Sequence, residues 1–135
     1  VDFTFVAEAI AGEPGGAGRV IGFVAGCPER DGIAGYDHEI WAIYLLPEYW
    51  RLGVGRRLLA HAASWIVELG GRSALLWVLK DNRRARCFYE ALDGHLLPGE
   101  KPITIGSTSL LEVAYGWPDA AELARGVRAG PERVR

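Results

Sequence analysis

Methionine is absent from this 135-residue chain, and cysteine occurs only twice. Cys27 and Cys87 supply neither a disulfide framework nor the paired spacing of a structural zinc site. Both are expected to be reduced thiols packed in a core, as in a cytoplasmic protein, and no metal is expected. Long apolar runs are missing too. Nothing approaches the roughly 18 consecutive residues of a membrane-spanning helix, so no membrane partner is expected. The opening VDFTFVAEAI has no basic stretch of the kind that begins a secretory signal. Without an initiator methionine, it predicts a trimmed protein or a piece of a longer one. A basic excess is lacking as well. The net charge is −2, against the strongly basic balance of a nucleic-acid-binding domain, and no nucleic-acid partner is expected.

What is abundant is apolar surface. Half of the residues are hydrophobic and five are tryptophan, the composition of a globular chain and not of a disordered one. The length suits one domain with its own core. No internal repeat or low-complexity block interrupts it. Charge, however, is unevenly placed. The window from Trp50 to Arg86 carries +6 and the remainder −8. Such a window is either a solvated basic face or a local anion site on an otherwise acidic protein.

The apolar periodicity gives an order of elements. DFTFVAEA alternates, with Phe3, Phe5, Ala7 and Ala9 on one face, and predicts a half-buried strand. A glycine-rich turn, AGEPGGAG, leads to a second strand in RVIGFVAG, its hairpin partner. HEIWAIYLL is apolar on both faces, which suits a strand in mid-sheet, and Pro47 ends it. Leu58, Leu59, Ala62, Ala63, Ile66 and Leu69 then fall at helical spacing, predicting a helix from about 55 to 69 that stops at Gly70-Gly71. SALLWVL is another buried strand. Residues 82–92 form a second amphipathic helix, with Ala85, Phe88 and Leu92 on its apolar side. Two weaker strands follow, one in HLLP or ITI and one in SLLEVAYGW. The tail from Pro118 holds one short helix at most. The strand–helix–strand centre implies a parallel pair with a right-handed crossover. The expected fold is therefore α/β: a mixed, mostly antiparallel twisted sheet with a central parallel pair and helices on its faces. The domain spans 1–117, with 118–135 as a tail.

One junction breaks the local rules of helix design. YWRLGVGRRLL opens the first helix with two arginines, which the positive end of the helix dipole disfavours. It also offers glycine where Ser, Thr, Asp or Asn is the usual cap. Together these faults make sense as an anion cradle. The first amides of a helix have no internal partner and favour a negative charge. Gly53 and Gly55 would let the backbone approach a ligand. Arg56 and Arg57 become favourable once phosphate oxygens arrive. The turn lacks the lysine and Ser/Thr of a nucleotide P-loop and is not G-x-G-x-x-G, so a nucleotide switch ranks low. Taken by itself, G-x-G is equally a plain helix start.

The downstream residues bear on that choice. Trp50-Arg51-Leu52-Gly53-Val54-Gly55 resembles the Gln/Arg-x-x-Gly-x-Gly/Ala signature of the GNAT superfamily of acyl-coenzyme A-dependent N-acetyltransferases, with Trp50 departing at the first position. DNRRARCFYEALDG resembles the second block of that family, an Asn followed by a helix containing a Tyr. The resemblance spans about 19–117. It implies a strand and two helices ahead of the first strand seen here, absent from these residues, which in the family wall the acceptor site.

The resemblance also implies roles. Acetyl-coenzyme A is expected between the two central strands, with its pyrophosphate on the amides of Leu52, Gly53, Val54, Gly55 and Arg56, and Arg51 and Arg57 nearby. The backbone of Tyr44, Leu45 and Leu46 is expected to pair with the pantetheine, although these residues also suit plain sheet core. Asn82 would hold the coenzyme, or simply cap its helix. The Tyr89 hydroxyl would protonate the departing thiolate, or Tyr89 is a core aromatic. Arg83, Arg84 and Arg86 would meet the 3′-phosphoadenosine, or be solvated. An attacking amine must lose a proton, and Glu39, at a position where some family members carry a base, is the candidate. Ile40, Trp41 and Ile43 beside it would raise its pKa. The alternative is an ordinary strand-end glutamate. Cys87 is expected in the core, so direct transfer in a ternary complex is preferred to an acyl-enzyme.

The expected function is thus acetyl transfer from acetyl-CoA to a primary amine. A small-molecule acceptor is slightly preferred to a peptide or protein amine, with Glu29, Asp31 and Asp37 as possible attractors of a cation. The alternative is a non-catalytic acyl-CoA sensor or partner domain. A two-fold homodimer is the base expectation for assembly.

Overall fold

The computed structural model describes residues 2–10 and 18–125. Most of the predicted glycine-rich turn and the tail beyond Arg125 lie outside them. Among the described residues, seven strands and three α-helices follow in the order β1 (Phe3–Glu8), β2 (Val20–Pro28), β3 (His38–Leu45), α1 (Val54–Glu68), β4 (Ala74–Leu79), α2 (Arg83–Ala91), β5 (His95–Leu96), β6 (Lys101–Ile105), β7 (Thr108–Trp117) and α3 (Ala120–Ala124). A single 3-10 turn over Pro47–Tyr49 separates β3 from α1. No helix among the described residues is long and apolar enough to cross a membrane.

The strands form one sheet in the order β1-β2-β3-β4-β7-β5, with β6 also on β7. β3 and β4 are parallel, and the other pairs are antiparallel. The mixed α/β architecture is the one expected. HLLP and ITI prove not to be alternatives. Both contribute a strand to the same edge of β7, β5 opposite Tyr115 and Gly116 and β6 opposite Thr108 to Glu112.

Period-two alternation decides which side chains meet the helices. Ala74, Leu76 and Val78 of β4 stand beside Trp117, Tyr115 and Val113 of β7. All six belong to one buried cluster with Leu58, Leu59, Ala62, Ala63 and Ile66 of α1 and Tyr89 of α2. The described helices therefore share one face of the sheet. Burying each large aliphatic side chain there contributes about 1.5–3 kcal/mol. Leu59 and Ile66, both fully buried, are the centre of α1's contribution.

On the opposite face the loop over 29–37 crosses β4 and β7. The Tyr36 ring lies so close to Gly116 that any Cβ there would collide with it. Lys Nζ of Lys101 sits 4.2 Å above the Trp77 ring. Further along the same face, Val6, Trp41 and Tyr44 remain about half exposed.

One irregularity redirects β3. Ala25 pairs with Ala42 but Gly26 pairs with Ile40, so Trp41 is an extra residue, a β-bulge. The strand changes sides across it. Ile40, Ile43 and Leu45 all pack toward the helices. Glu39, facing the same side as its ladder partners Cys27 and Leu75, looks away from them. Ile43 is therefore not a neighbour of the Glu39 carboxylate, contrary to the regular alternation assumed from sequence.

Candidate active site

The parallel pair at the centre of the sheet is short. Glu39 opposite Leu75 is the one ladder position joining β3 and β4. Beyond it the strands part. The Leu46 N–H donates to the Ile21 carbonyl at 2.9 Å. By the alternation of an antiparallel ladder, Tyr44 also turns its backbone groups toward β2, and Ile43 and Leu45 turn theirs toward the gap. Of the three residues expected to pair with the coenzyme arm, Leu45 turns its backbone toward the gap, Tyr44 turns its own toward β2, and Leu46 gives its N–H to Ile21 and its carbonyl to the Tyr49 N–H at 2.9 Å. That Ile43 shares this orientation was not legible in the sequence, because register across β2 and β3 depends on a bulge that carries no sequence mark.

Trp50 closes the end of the gap. Its indole N–H donates to the Leu45 carbonyl at 2.8 Å, and the Arg84 guanidinium from α2 stacks 4.1 Å above the ring. The residue that departs from the signature thus ties strand, turn and α2 together.

The turn itself is built around left-handed backbone. Arg51 has φ 67 and Gly53 φ 86. Such a φ is natural for glycine and strained for arginine. Gly53 is the N-cap of α1 and provides no side-chain bond. The first backbone bond of α1 runs from the Arg57 N–H to the Gly53 carbonyl at 3.1 Å. Among the described residues, no acceptor meets the N–H groups of Leu52, Gly53, Val54 and Gly55. Arg56 and Arg57 are half-buried and each has a partner within the protein. Gly55 also meets a packing demand. A Cβ there would stand 3.2 Å from the Phe88 ring, so its bareness admits α2.

From α2, Tyr89 reaches the core. It is 6% exposed and lies 5.4 to 6.3 Å, between ring centroids, from Phe88, Tyr115 and Trp117. Among the described residues nothing hydrogen-bonds its hydroxyl. Desolvation pushes its pKa up to about 12. Asn82 caps α2, its side-chain oxygen accepting from the Ala85 N–H at 3.1 Å, which leaves its amide NH2 uncommitted by that bond. Arg86, expected at the coenzyme, is spent internally: it donates to the Tyr115 hydroxyl at 3.0 Å and to the Lys80 carbonyl at 2.9 Å. Tyr115 in turn donates to Glu90. Cys87 is exposed, not in the core as expected, because it lies on the solvent side of a helix whose inward positions are Ala85, Phe88, Tyr89 and Leu92. Cys27 is buried, and desolvation raises its pKa.

Glu39 occupies the point where β3 and β4 separate. It is 3% exposed, but not bare. Arg30 grips both oxygens, Nε to Oε1 at 3.3 Å and a terminal nitrogen to Oε2 at 2.8 Å. The apolar setting inferred from sequence is replaced by an ion pair. Beside it opens a cleft of about 400 Å³ lined by Asp2, Cys27, Pro28, Glu29, Arg30 and Trp41.

The acidic loop residues are committed to the fold. Glu29 accepts from the N–H groups of Asp31 at 2.6 Å and Ile33 at 2.9 Å. Asp31 pairs with Lys101 at 3.1 Å. Asp37 accepts from the N–H groups of Arg72 and Ser73 at 3.0 and 3.2 Å and from His38 at 2.8 Å. Burial alone would raise the Asp37 pKa, but those bonds outweigh it and the net shift is downward. This clasp fixes the start of β3 to the start of β4, and so places Glu39.

A model of the Acetyltransferase (GNAT) family matches residues 3–94. The chain is 40% identical over 106 residues to an uncharacterized N-acetyltransferase, YuaI, of Bacillus subtilis, covering 78% of this chain and 60% of that protein. It thus spans about three-fifths of that relative's length. Among solved structures, Arabidopsis thaliana NAA60 in complex with a bisubstrate analogue superposes with a TM-score of 0.72 at 14% identity, over 86% of this chain and 74% of the other. A putative streptothricin acetyltransferase from Bacillus anthracis, in complex with acetyl coenzyme A, gives 0.67 at 22% identity, over 85% and 61%. At these identities the superpositions establish the fold alone.

Proposed function

We propose that this chain, which belongs to the GNAT family of acetyltransferases, moves an acetyl group from acetyl-coenzyme A to a primary amine by direct attack. The observation that carries this reading is the gap between β3 and β4 beside a helix start where, among the described residues, no acceptor meets the N–H groups of Leu52 to Gly55. An extended thioester arm fits between the strands with the backbone of Ile43 and the Leu45 N–H as its partners. A diphosphate fits the N–H groups of Leu52 to Gly55, with Arg51 beside it.

The overall reaction converts R–NH3+ and acetyl–S–CoA into R–NH–acetyl, HS–CoA and one proton. The C–S bond breaks as the N–C bond forms. Glu39 takes the first proton from the ammonium, and its lone pair positions not held by Arg30 can accept it. Tyr89 donates a hydrogen bond to the leaving sulfur. Complete transfer from a phenol held at about 12 to an ordinary thiolate near 8.5 would run uphill by roughly 5 kcal/mol. Tyr89 therefore stabilises the sulfur while keeping its own proton, and the amine's second proton ends on the thiol through solvent.

The cleft beside Glu39 suits a small amine. Its size, about 400 Å³, falls within the range of small-molecule sites. A second reading, an acyl-CoA-binding domain without turnover, is favoured by one observation: both Glu39 oxygens are already gripped by Arg30. Coenzyme release across an amine library separates the two. Turnover on any primary amine supports transfer. A melting temperature raised by acetyl-CoA but not by ATP or NAD, without turnover, supports the binding domain. No shift with acetyl-CoA sinks both.

A further inference from the structure

We propose that Arg30 is the positioning residue for Glu39, fixing the carboxylate by a two-point grip at the place where the central strands part. The proposal rests on the transfer reading above.

The pair is lopsided. The Glu39 side chain is 4% exposed and that of Arg30 is 61% exposed. Arg30 therefore adds little packing of its own. What it supplies is a planar fork matching both carboxylate oxygens. Lysine, a point charge, cannot reproduce that geometry.

The segment carrying Arg30 is itself anchored. Glu29 on one side is bonded to the backbone of Asp31 and Ile33. Asp31 on the other is paired to Lys101, which sits on Trp77 of β4. The guanidinium is thus presented from a braced loop.

The charges around Glu39 make such a grip necessary. Carboxylate oxygens of Glu29, Asp31 and Glu39 lie within 4.8 Å of one another. Asp2 lines the adjoining cleft. Against these stand Arg30 and Lys101, and Lys101 is taken by Asp31. Without Arg30, Glu39 would face like charges from inside the protein with no counter-charge of its own among the described residues. A buried carboxylate in that position turns away or takes up a proton, and either response removes a base from its working geometry.

The test is a kinetic split on the full chain. In Arg30→Ala, kcat should fall at least tenfold while KM for acetyl-CoA stays within twofold, because the gap and turn are untouched. Arg30→Lys should fall between the two. Added methylguanidinium should restore turnover to Arg30→Ala in a saturable manner. Adding Arg30→Ala to Glu39→Gln should produce no further loss, a result that a purely structural role would not give. A kcat within twofold of the parent in Arg30→Ala overturns the proposal. So does an additive double variant. Should Arg30→Ala fold poorly, Arg30→Gln and Arg30→Lys carry the same comparison. Absence of turnover in the unaltered chain would defeat the transfer reading itself, whereas turnover with an insensitive Arg30 defeats the positioning role alone.

Discussion

Replacing Tyr89 by Phe separates the hydroxyl from the ring. The ring contacts with Phe88, Tyr115 and Trp117 persist, and no described partner loses a bond. At pH 8 the variant should therefore be as stable as the parent, within about 0.5 kcal/mol. Alkaline pH reveals the difference. The unfolded phenol loses its proton near 10, while the folded one keeps it to about 12. Between those values the folded state binds more protons, so stability falls as pH rises. The full window of two units corresponds to about 2.7 kcal/mol, and about half of it is spent by pH 11. Urea unfolding followed by tryptophan fluorescence at pH 8 and pH 11 reads this directly. The parent should lose about 1.4 kcal/mol more than Tyr89→Phe. Other raised phenols, Tyr36 and Tyr115, are common to both proteins and cancel. Turnover should fall in the variant by about 10- to 100-fold, the worth of one hydrogen bond to a developing charge. Equal alkaline losses would refute the burial argument. Full turnover in the variant would remove the hydroxyl from the chemistry.

Gly53→Ala forces an L side chain to φ 86 and should lower stability by about 1–2 kcal/mol, with acetyl-CoA binding by calorimetry weakened at least tenfold. Trp50→Phe removes the indole bond to Leu45 and should cost about 1 kcal/mol in chemical unfolding. The lowered Asp37 pKa contributes stability above its ordinary value of 3.8, lost as pH falls below it. In urea unfolding Asp37→Asn should therefore be less stable than the parent near neutral pH, and the difference between the two should shrink as pH falls below 3.8. A thiol reagent should label one cysteine rapidly in the native protein, Cys87, and the buried Cys27 only on unfolding. Two fast thiols would contradict the placement of Cys27.

The elements were largely legible because each announces itself locally. Leu58, Leu59, Ala62, Ala63 and Ile66 repeat at helical spacing, and all five are buried on α1. The uncapped start of α1 was legible because the local rules of helix design fail together at Gly53. Three things were not. The bulge at Trp41 depends on pairing with β2, and an extra residue leaves no compositional trace. The grip of Arg30 on Glu39 spans nine residues through a loop whose path is set by Lys101 and Trp77. The surface placement of Cys87 turned on one helical step, since residue 88 and not 87 faces Gly55.

Among the described residues one ladder position, Glu39 opposite Leu75, joins β3 to β4, so on the strand side the β1–β3 and β4–β7 plates meet at a single rung and are otherwise joined by the core they share with α1. Their angle is then governed by what wedges between them, by the Trp50–Arg84 strut at one end and by the Asp37 clasp at the other. A thioester arm inserted into the seam would act as a second fastener, stiffening the whole slab at the moment the reactants are aligned.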